Sequence, residues 1–579
     1  MTALDYGIIV GYLALAVAVS VFFNRRGGKN LESYYLGNRS MPWWLLGVSM
    51  AATTFAADTP LAVTELVRTE GVFGNWLWWN MLVGHVLVGV LFARLWRRTG
   101  VLTDAAVIEL RYDGPSAAFL RGLKAVVIGI ALNALTMGWV MLGMAKVAAA
   151  VLPLDQLLSV EACELLASLW PSFFHMPWQE GVVVLGLSVL ALIYASISGL
   201  FGVAWTDLVQ FVVALGGTVL LAILVLASPD GAALWSSPEV ALRVDTWPPW
   251  GFSLPLFTWI AYLGIGWWAH KYADGGGYIV QRVCAARDDR DAGRAMLMFV
   301  FLHYIVRPWP WILVALASLA AFPALVDHQS AYPLMMLRHM PPGLLGLMVT
   351  AFLAAFMSTI DTHIHWGSSY WVHDLYARFW VRNASDRHYV TVARLSGVLV
   401  LALAVVIAGN LRSITSAWKI LYLLGAGLGP VVLARWLWWK VSAASELAAF
   451  LASLALASVL VILDRPADYG LRLLLVSAGS ALIWVPATFR WPSRPSPRLE
   501  AFFHRVRPPV VGWGVFTPRE PAGHVRLRVV AAQWGLGVAA CVLALYGLAL
   551  LLFGPRLPGL GLTLAAVAFT AAFFRAVRQ

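Results

Sequence analysis

Two short stretches place ionisable groups where the surrounding sequence is apolar: Ala56-Ala57-Asp58-Thr59-Pro60 and Ala273-Asp274-Gly275-Gly276-Gly277. Each sets a carboxylate among helix breakers inside a segment long enough to span a bilayer. A charge at that depth is expensive, so such groups face a binding site or a water-filled path rather than lipid. Interrupted helices at corresponding places in two halves of a chain are the pattern of a carrier whose site lies near the membrane midplane. Two roles are open to Asp58. It caps the half-helix that begins at Thr59-Pro60, with proline at the tolerated first turn, or its carboxylate is counter-ion to an ammonium or guanidinium group on a solute. In the second stretch, glycines let backbone approach a ligand closely. Asp58, Thr59, Asp274, Gly275 and Gly276 are therefore candidate substrate-binding or gating residues.

A third cluster, Asp361-Thr362-His363-Ile364-His365, invites a metal-site reading. Helix geometry places His365 on the face of Asp361 and turns His363 nearly away. Two ligands do not make a closed or catalytic zinc set, so no transition metal is expected, and Asp361 and His365 are expected to hydrogen-bond or share a proton across one turn. There is no nucleophile–base pair, nucleotide-binding loop or zinc spacing. Neither enzymatic activity nor a cofactor is expected.

The elements that must position these residues are membrane helices. Of 579 residues, 60% are hydrophobic and 12% charged, with mean hydropathy +0.77. Apolar runs recur at roughly 20 residues each, and they are continuous rather than alternating, which excludes a barrel. The expected fold is all-α and polytopic, with about 15 spans. They lie near 5–23, 43–66, 75–96, 121–151, 179–198, 202–227, 255–280, 295–322, 341–371, 393–409, 412–439, 443–463, 470–489, 529–553 and 559–575. The first has no small-residue cleavage site after it and is read as a true span.

The formal net charge of +12 does not point to nucleic acid. Arginines cluster in alternate loops, among them Arg25, Arg26 and Arg39, then Arg94, Arg97, Arg98, Arg111 and Arg121, then Arg282, Arg287, Arg290 and Arg294. Residues 152–180 hold acids and no Lys or Arg. This is the positive-inside pattern. It places the N-terminus outside and the C-terminus in the cytosol of an inner or plasma membrane. Cys163 then lies outside and Cys284 inside, so those two cannot pair, and with Cys541 they imply no disulfide framework.

With the span at 43–66 taken as the first of a core, five spans reach residue 227 and five more run from 255 to about 440, each set opening on an interrupted helix. Four segments in this order resemble the sodium:solute symporter family. They are Tyr35-Leu36-Gly37-Asn38-Arg39 leading into Gly47-Val48-Ser49-Met50-Ala51-Ala52; Ser198-Gly199-Leu200-Phe201-Gly202 through Thr206-Asp207-Leu208-Val209-Gln210; Ile279-Val280-Gln281-Arg282 with Ala285-Ala286-Arg287-Asp288; and Gly346 to Asp374, including Ala354-Ala355-Phe356-Met357-Ser358-Thr359. The resemblance implies a leucine-transporter-like core of two inverted five-helix repeats (about 43–227 and 255–440). One helix and a cytosolic loop precede it (1–42). Beyond it lie two additional helices (441–489), a Pro/Arg-rich cytosolic linker (490–528) with a helix near 499–506, and a C-terminal helix pair (529–579).

The same resemblance implies a sodium-coupled symporter that imports a small organic solute by alternating access. Sodium is implied at the backbone of Ala51 and Thr54 and at Ala355, Ser358 and Thr359; the last three share one helix face. A possible second cation site falls on Asp207, Asp361 and Thr362, although the family more often has small hydroxyl residues where Asp361 stands. Asp207 is otherwise a structural group. Tyr272 falls where sugar carriers of the family place an inner aromatic gate, but Ala273 replaces the tryptophan that follows it there. Carboxylates near the midplane favour a solute with an amino or other cationic group. A proton-coupled carrier using Asp58, Asp361 or His365 and a transporter-like sensor are the alternatives. The expected partners are the solute, sodium and the lipid bilayer; the oligomeric state is left open.

Overall fold

The computed structural model describes residues 1–27, 31–152, 154–245, 256–270, 273–516 and 524–578. Among them every extended element is a helix, and the single β-bridge pairs Met41 with Ala286. Eleven helices are long and apolar enough to cross a membrane, and Ala3–Ala18 and Trp178–Ile193 are shorter apolar helices. Two further crossings are interrupted, at the two stretches singled out by their carboxylates.

The first interruption has a local cause. Helix Trp43–Thr54 ends and helix Thr59–Glu70 begins with Pro60 in its first turn. Proline has no N–H to donate to the Ala56 carbonyl, which a continuous helix would require. That carbonyl instead accepts from the Thr59 N–H at 3.1 Å. In the second, helix Leu256–Gly264 runs into the short turn Gly266–Trp268, and helix resumes only at Tyr278–Cys284. Gly275 and Gly277 hold positive φ angles of 84° and 71° in the gap. Tyr272 lies outside the described residues.

Two segments differ from expectation. Trp178–Leu226 is one helical run of 49 residues where two spans meeting near residue 200 are expected. The apolar windows Trp178–Ile193 and Leu200–Leu226 do lie on either side of that point, and the side chains of 194–199 are outside the described set. The stretch expected to be a linker is also more than a spacer. Helix Pro497–Val506, capped by Ser496, buries Leu499, Phe502, Phe503 and Val506. The Trp513 indole N–H donates to the Trp436 carbonyl at 3.0 Å. Arg111 lies over the rings of Phe502 and Trp513, and its three guanidinium nitrogens donate to the carbonyls of Arg435, Val441 and Trp438. Apolar residues at helical spacing explain the docking, because the face they form has a partner of matching aromatic and cationic groups.

The loop before the span Pro115–Val151 is held by charge. Glu109 accepts from Arg121 at 2.6 Å and from Arg378 at 2.8 Å, and Arg121 also donates to Asp374 at 2.7 Å. Burial alone pushes the Glu109 carboxyl up, but the hydrogen bonds from Arg378 and Arg121 outweigh it and hold the group below the usual carboxylate range. The C-terminal helices Leu527–Phe553 and Arg556–Arg578 pack on each other. The Trp534 indole N–H donates to the Val83 carbonyl at 2.7 Å, which seats the pair on the core.

Gly512 is the joint of the docked segment. Its φ is 87°, and a Cβ there would sit 2.0 Å from the Leu437 carbonyl oxygen. Gly512→Ala is expected to cost about 1–3 kcal/mol of backbone strain locally and to free helix Pro497–Val506. Tryptic cleavage within 490–528 should accelerate at least several-fold while the transmembrane core stays intact; unchanged cleavage would mean the segment is not held by this contact.

Candidate functional site

At the inner end of the first half-helix, four helices are joined by one polar network. Asp207 is fully buried. Its carboxylate accepts from Ser49 Oγ at 2.5 Å and Ser358 Oγ at 2.6 Å, and Arg282 Nη2 lies 3.7 Å away. Arg282 in turn donates from Nη2 to Thr362 Oγ1 at 2.6 Å, from Nε to Ser49 Oγ at 3.3 Å and from Nη1 to Gln281 Oε1 at 2.9 Å. Thr362 Oγ1 is 3.1 Å from Thr53 Oγ1. Two of the residues expected at a second cation position, Asp207 and Thr362, are thus brought together around a guanidinium. Asp361, the third, faces His365, with Oδ1 3.4 Å from Nε2.

One turn along, the two helices implied for sodium meet through Thr359, while Ser358 is taken up by Asp207. Thr359 Oγ1 donates to the Thr53 carbonyl at 2.8 Å and to the Ala355 carbonyl at 3.0 Å. The Ala51 carbonyl and Thr54 Oγ1 lie at the frayed end of the first half-helix, and Arg307 Nη1 donates to both at 3.1 Å. Carbonyls and neutral hydroxyls are the hard-oxygen donor types that suit an alkali cation rather than a soft transition metal, although the Ala51 carbonyl already accepts from Phe55 N–H, Thr54 Oγ1 and Arg307.

Next to this seam is a cavity of about 150 Å³ whose lining includes Thr54, Asp58, Thr59, His303, Arg307 and Tyr278, with aromatic walls from Trp78, Trp139, Trp418 and Tyr422. Asp58 is 1% exposed and occupies the N-cap position of helix Thr59–Glu70, yet its side chain makes no capping hydrogen bond, and its Oδ1 has no partner. Of its two possible roles, the cap is therefore not the one it performs here. Gly143 lets the break sit so close: a Cβ there would lie 2.6 Å from the Asp58 Cα. Thr59 also lines the cavity, its hydroxyl 3.4 Å from the Thr54 carbonyl.

The carboxylate of the second break does not reach this cavity. Asp274 Oδ2 accepts from Arg435 Nη2 at 2.5 Å and from the Trp436 indole N–H at 2.8 Å, and its carbonyl accepts from Trp96 at 2.7 Å. It lines a separate cavity of about 50 Å³ with Asp104, Lys124 and Glu446, and His270 borders both cavities. Gly275 packs against Val88 and Gly276 is buried beside it. This break is closed by ion pairs rather than opened towards a solute.

Arg307 is the functional candidate that sequence reading missed. It lies mid-span, between the π-helical stretch Phe301–Val306 and helix Pro308–Ala321. Pro308 cannot continue the hydrogen-bond ladder, and π-type turns concentrate at functional sites. The rule that flagged Asp58, a charge at membrane depth, applies to it equally.

Comparison with known proteins bears on the family and the fold. The family model described as the sodium:solute symporter family matches residues 34–170 and 165–453. The chain is 25% identical over 477 residues to a sodium/glucose cotransporter of Vibrio parahaemolyticus, covering 76% of this chain and 81% of that one. It is 23% identical to the sodium/sialic acid symporter SiaT of Proteus mirabilis, covering 72% and 78%. A solved structure of a Na+-coupled sialic acid symporter superposes with a TM-score of 0.67 at 19% identity, covering 86% of this chain and 99% of that one. The likeness is one of fold.

Removing one member of a buried ion pair leaves the other uncompensated, at about 3–5 kcal/mol. In potassium buffer, so that any effect on sodium binding is excluded, Asp207→Asn and Arg282→Gln should each lower the melting temperature clearly more than Ser358→Ala. The double variant should be less destabilised than the sum of the singles. Strict additivity would show that the two charges are not coupled.

Proposed function

The chain belongs to the sodium:solute symporter family, and from that membership we propose that it carries a small organic solute bearing an amino or other cationic group, bound at Asp58, together with sodium. It is an integral membrane protein and a sodium-coupled transporter, not an enzyme, and sodium is its coupling ion. Its core has the leucine-transporter-like fold. The observation that carries the solute assignment is Asp58: a carboxylate buried at the helix-one break, free of its capping duty, with one oxygen unpartnered and lining the central cavity. A buried carboxylate with an unsatisfied oxygen is unfavourable, and a cationic group on the solute offsets that.

Sodium is assigned to Ala51, Thr54, Ala355, Ser358 and Thr359, a reading supported by the contact of Thr359 with the Thr53 carbonyl and requiring Arg307 Nη1 to leave Ala51 and Thr54 when the cation binds. Cation binding there ties core helix one to core helix eight next to the cavity wall, since Thr54 and Thr359 belong to both. Sodium therefore favours the arrangement that binds solute, and by linkage solute raises sodium affinity by the same factor, about 5–150-fold for typical couplings. Release to the other side requires helix six to move, which parts Asp274 from Arg435. Arg282, already seated among Asp207 and Thr362, supplies a fixed positive charge at the second cation position. The two five-helix repeats at about 43–227 and 255–440 form the moving core, with the amino-terminal side outside and the carboxy-terminal side in the cytosol of the inner or plasma membrane, as the arginine-rich loops support.

Proteoliposomes test this reading. With an inward sodium gradient, uptake of a labelled amino-group solute is expected to exceed that in a potassium gradient by at least tenfold. Ser358→Ala should raise the sodium concentration for half-maximal uptake by roughly tenfold or more, and Asp58→Asn should abolish uptake at any sodium concentration. Uptake driven equally by a pH gradient without sodium would contradict it.

A further inference from the structure

We propose, building on the assignment of Asp58 to a cationic group, that the solute is a zwitterion of small amino-acid size, held with its ammonium on Asp58 and its carboxylate on Arg307. Among the described residues, the other buried guanidiniums have an ion-pair partner or donate from every nitrogen, although Arg435 Nε is also without a partner. Arg282 is beside Asp207, Arg435 is paired with Asp274 and Arg121 with Asp374. Arg111 and Arg68 have no carboxylate but donate from every nitrogen, Arg111 to three carbonyls and Arg68 to Ser318, Phe322 and His328. Arg307 differs from all of these. It is 1% exposed, it has no ion pair among the described residues, only Nη1 donates, and Nε has no partner. Its guanidinium lies over the rings of Phe55 and Trp311, which hold it without neutralising it.

Arg307 and Asp58 stand at the two lips of one helix break. Arg307 is bonded to Ala51 and Thr54 where the first half-helix ends, and Asp58 opens the second. Three residues lie between Thr54 and Asp58, so the four steps of chain set the lips at most about 14 Å apart. Both side chains line the same cavity. Each charge, taken out of water, is unfavourable unless paired. A neutral sugar leaves both unpaired, an amine leaves Arg307 and a simple carboxylate leaves Asp58, whereas a zwitterion meets both. The planar fork of arginine suits a carboxylate in particular. A cavity of about 150 Å³ is on the order of one that holds a benzene-sized guest, which has room for alanine, valine or proline.

The test is thermal stability of the purified full chain in sodium, with L-alanine, L-valine or L-proline, their methyl esters (cation only), L-lactate (anion only) and glucose (neutral). The zwitterions should stabilise, and esters or lactate should need roughly 30-fold higher concentration for the same shift, the scale of one lost charged hydrogen-bonded contact. In Arg307→Gln the ester should become equal to the zwitterion, and in Asp58→Asn lactate should. Should Arg307→Gln fail to fold, Arg307→Lys must weaken zwitterion binding while keeping preference over the ester. Equal stabilisation of the wild type by zwitterion and ester overturns the role of Arg307 and leaves that of Asp58 standing. Stabilisation by lactate or glucose in preference to both overturns the Asp58 assignment as well. A sodium effect with no response to any member of the panel overturns the size and class of solute proposed.

Discussion

The pairing of Asp207 with Arg282 inside a shell of hydroxyls is the constraint on which the core depends. Two charges removed from water must be satisfied locally or not be there, and the groups that satisfy them come from four helices: Ser49, Asp207, Arg282, and Ser358 with Thr362. Satisfying the pair fixes the relative height and rotation of those helices. Thr53 and Thr359, one turn on from the pair, are placed by it, and so is the seam between helix one and helix eight. A hydrophobic core alone would not set this register, because apolar helices in lipid slide past one another with little penalty.

From that fixed seam the functional asymmetry of the two helix breaks follows. Both breaks carry an aspartate, and both expose backbone, but only one is left electrostatically open. Asp274 is consumed by Arg435 and Trp436, so the second break is a closed joint that must be undone for release. Asp58 and Arg307 both line the cavity, and neither makes a direct ion pair among the described residues. The protein has thus separated a lock and a receptor that use the same residue type in equivalent positions. The docked segment around Trp513 adds to the lock, since Trp436 accepts from Trp513 while its own indole holds Asp274.

Much of this was legible in the chain. Apolar run length gave the crossings, and Pro60 and Gly275 to Gly277 gave the breaks, because both signals are local and steric. Residues three and four apart gave the common face of Ala355, Ser358 and Thr359. What could not be read were partners distant in sequence. Nothing local ties Asp274 to Arg435, 161 residues away, so the sequence leaves binding and gating both open for it and does not show its ion pair. Whether Asp58 caps its helix depends on side-chain rotamer and packing at Gly143, which no periodicity encodes. Arg307 is a charge within an apolar span like Asp58, but no helix breaker in the sequence marks it except the single Pro308. The segment 490–528 was read as a linker from its prolines and arginines, while its apolar positions at helical spacing carried the docking.

The central claim is that sodium is held between the frayed end of helix one and the hydroxyls of helix eight, apart from the charge that receives the solute. Equilibrium binding of sodium-22 to the purified chain tests it most directly. Saturable binding that is lost in Thr359→Ala and kept in Asp58→Asn is the result the account predicts. Saturable binding that survives Thr359→Ala and is lost in Asp58→Asn would contradict it, and would place the cation at the break itself.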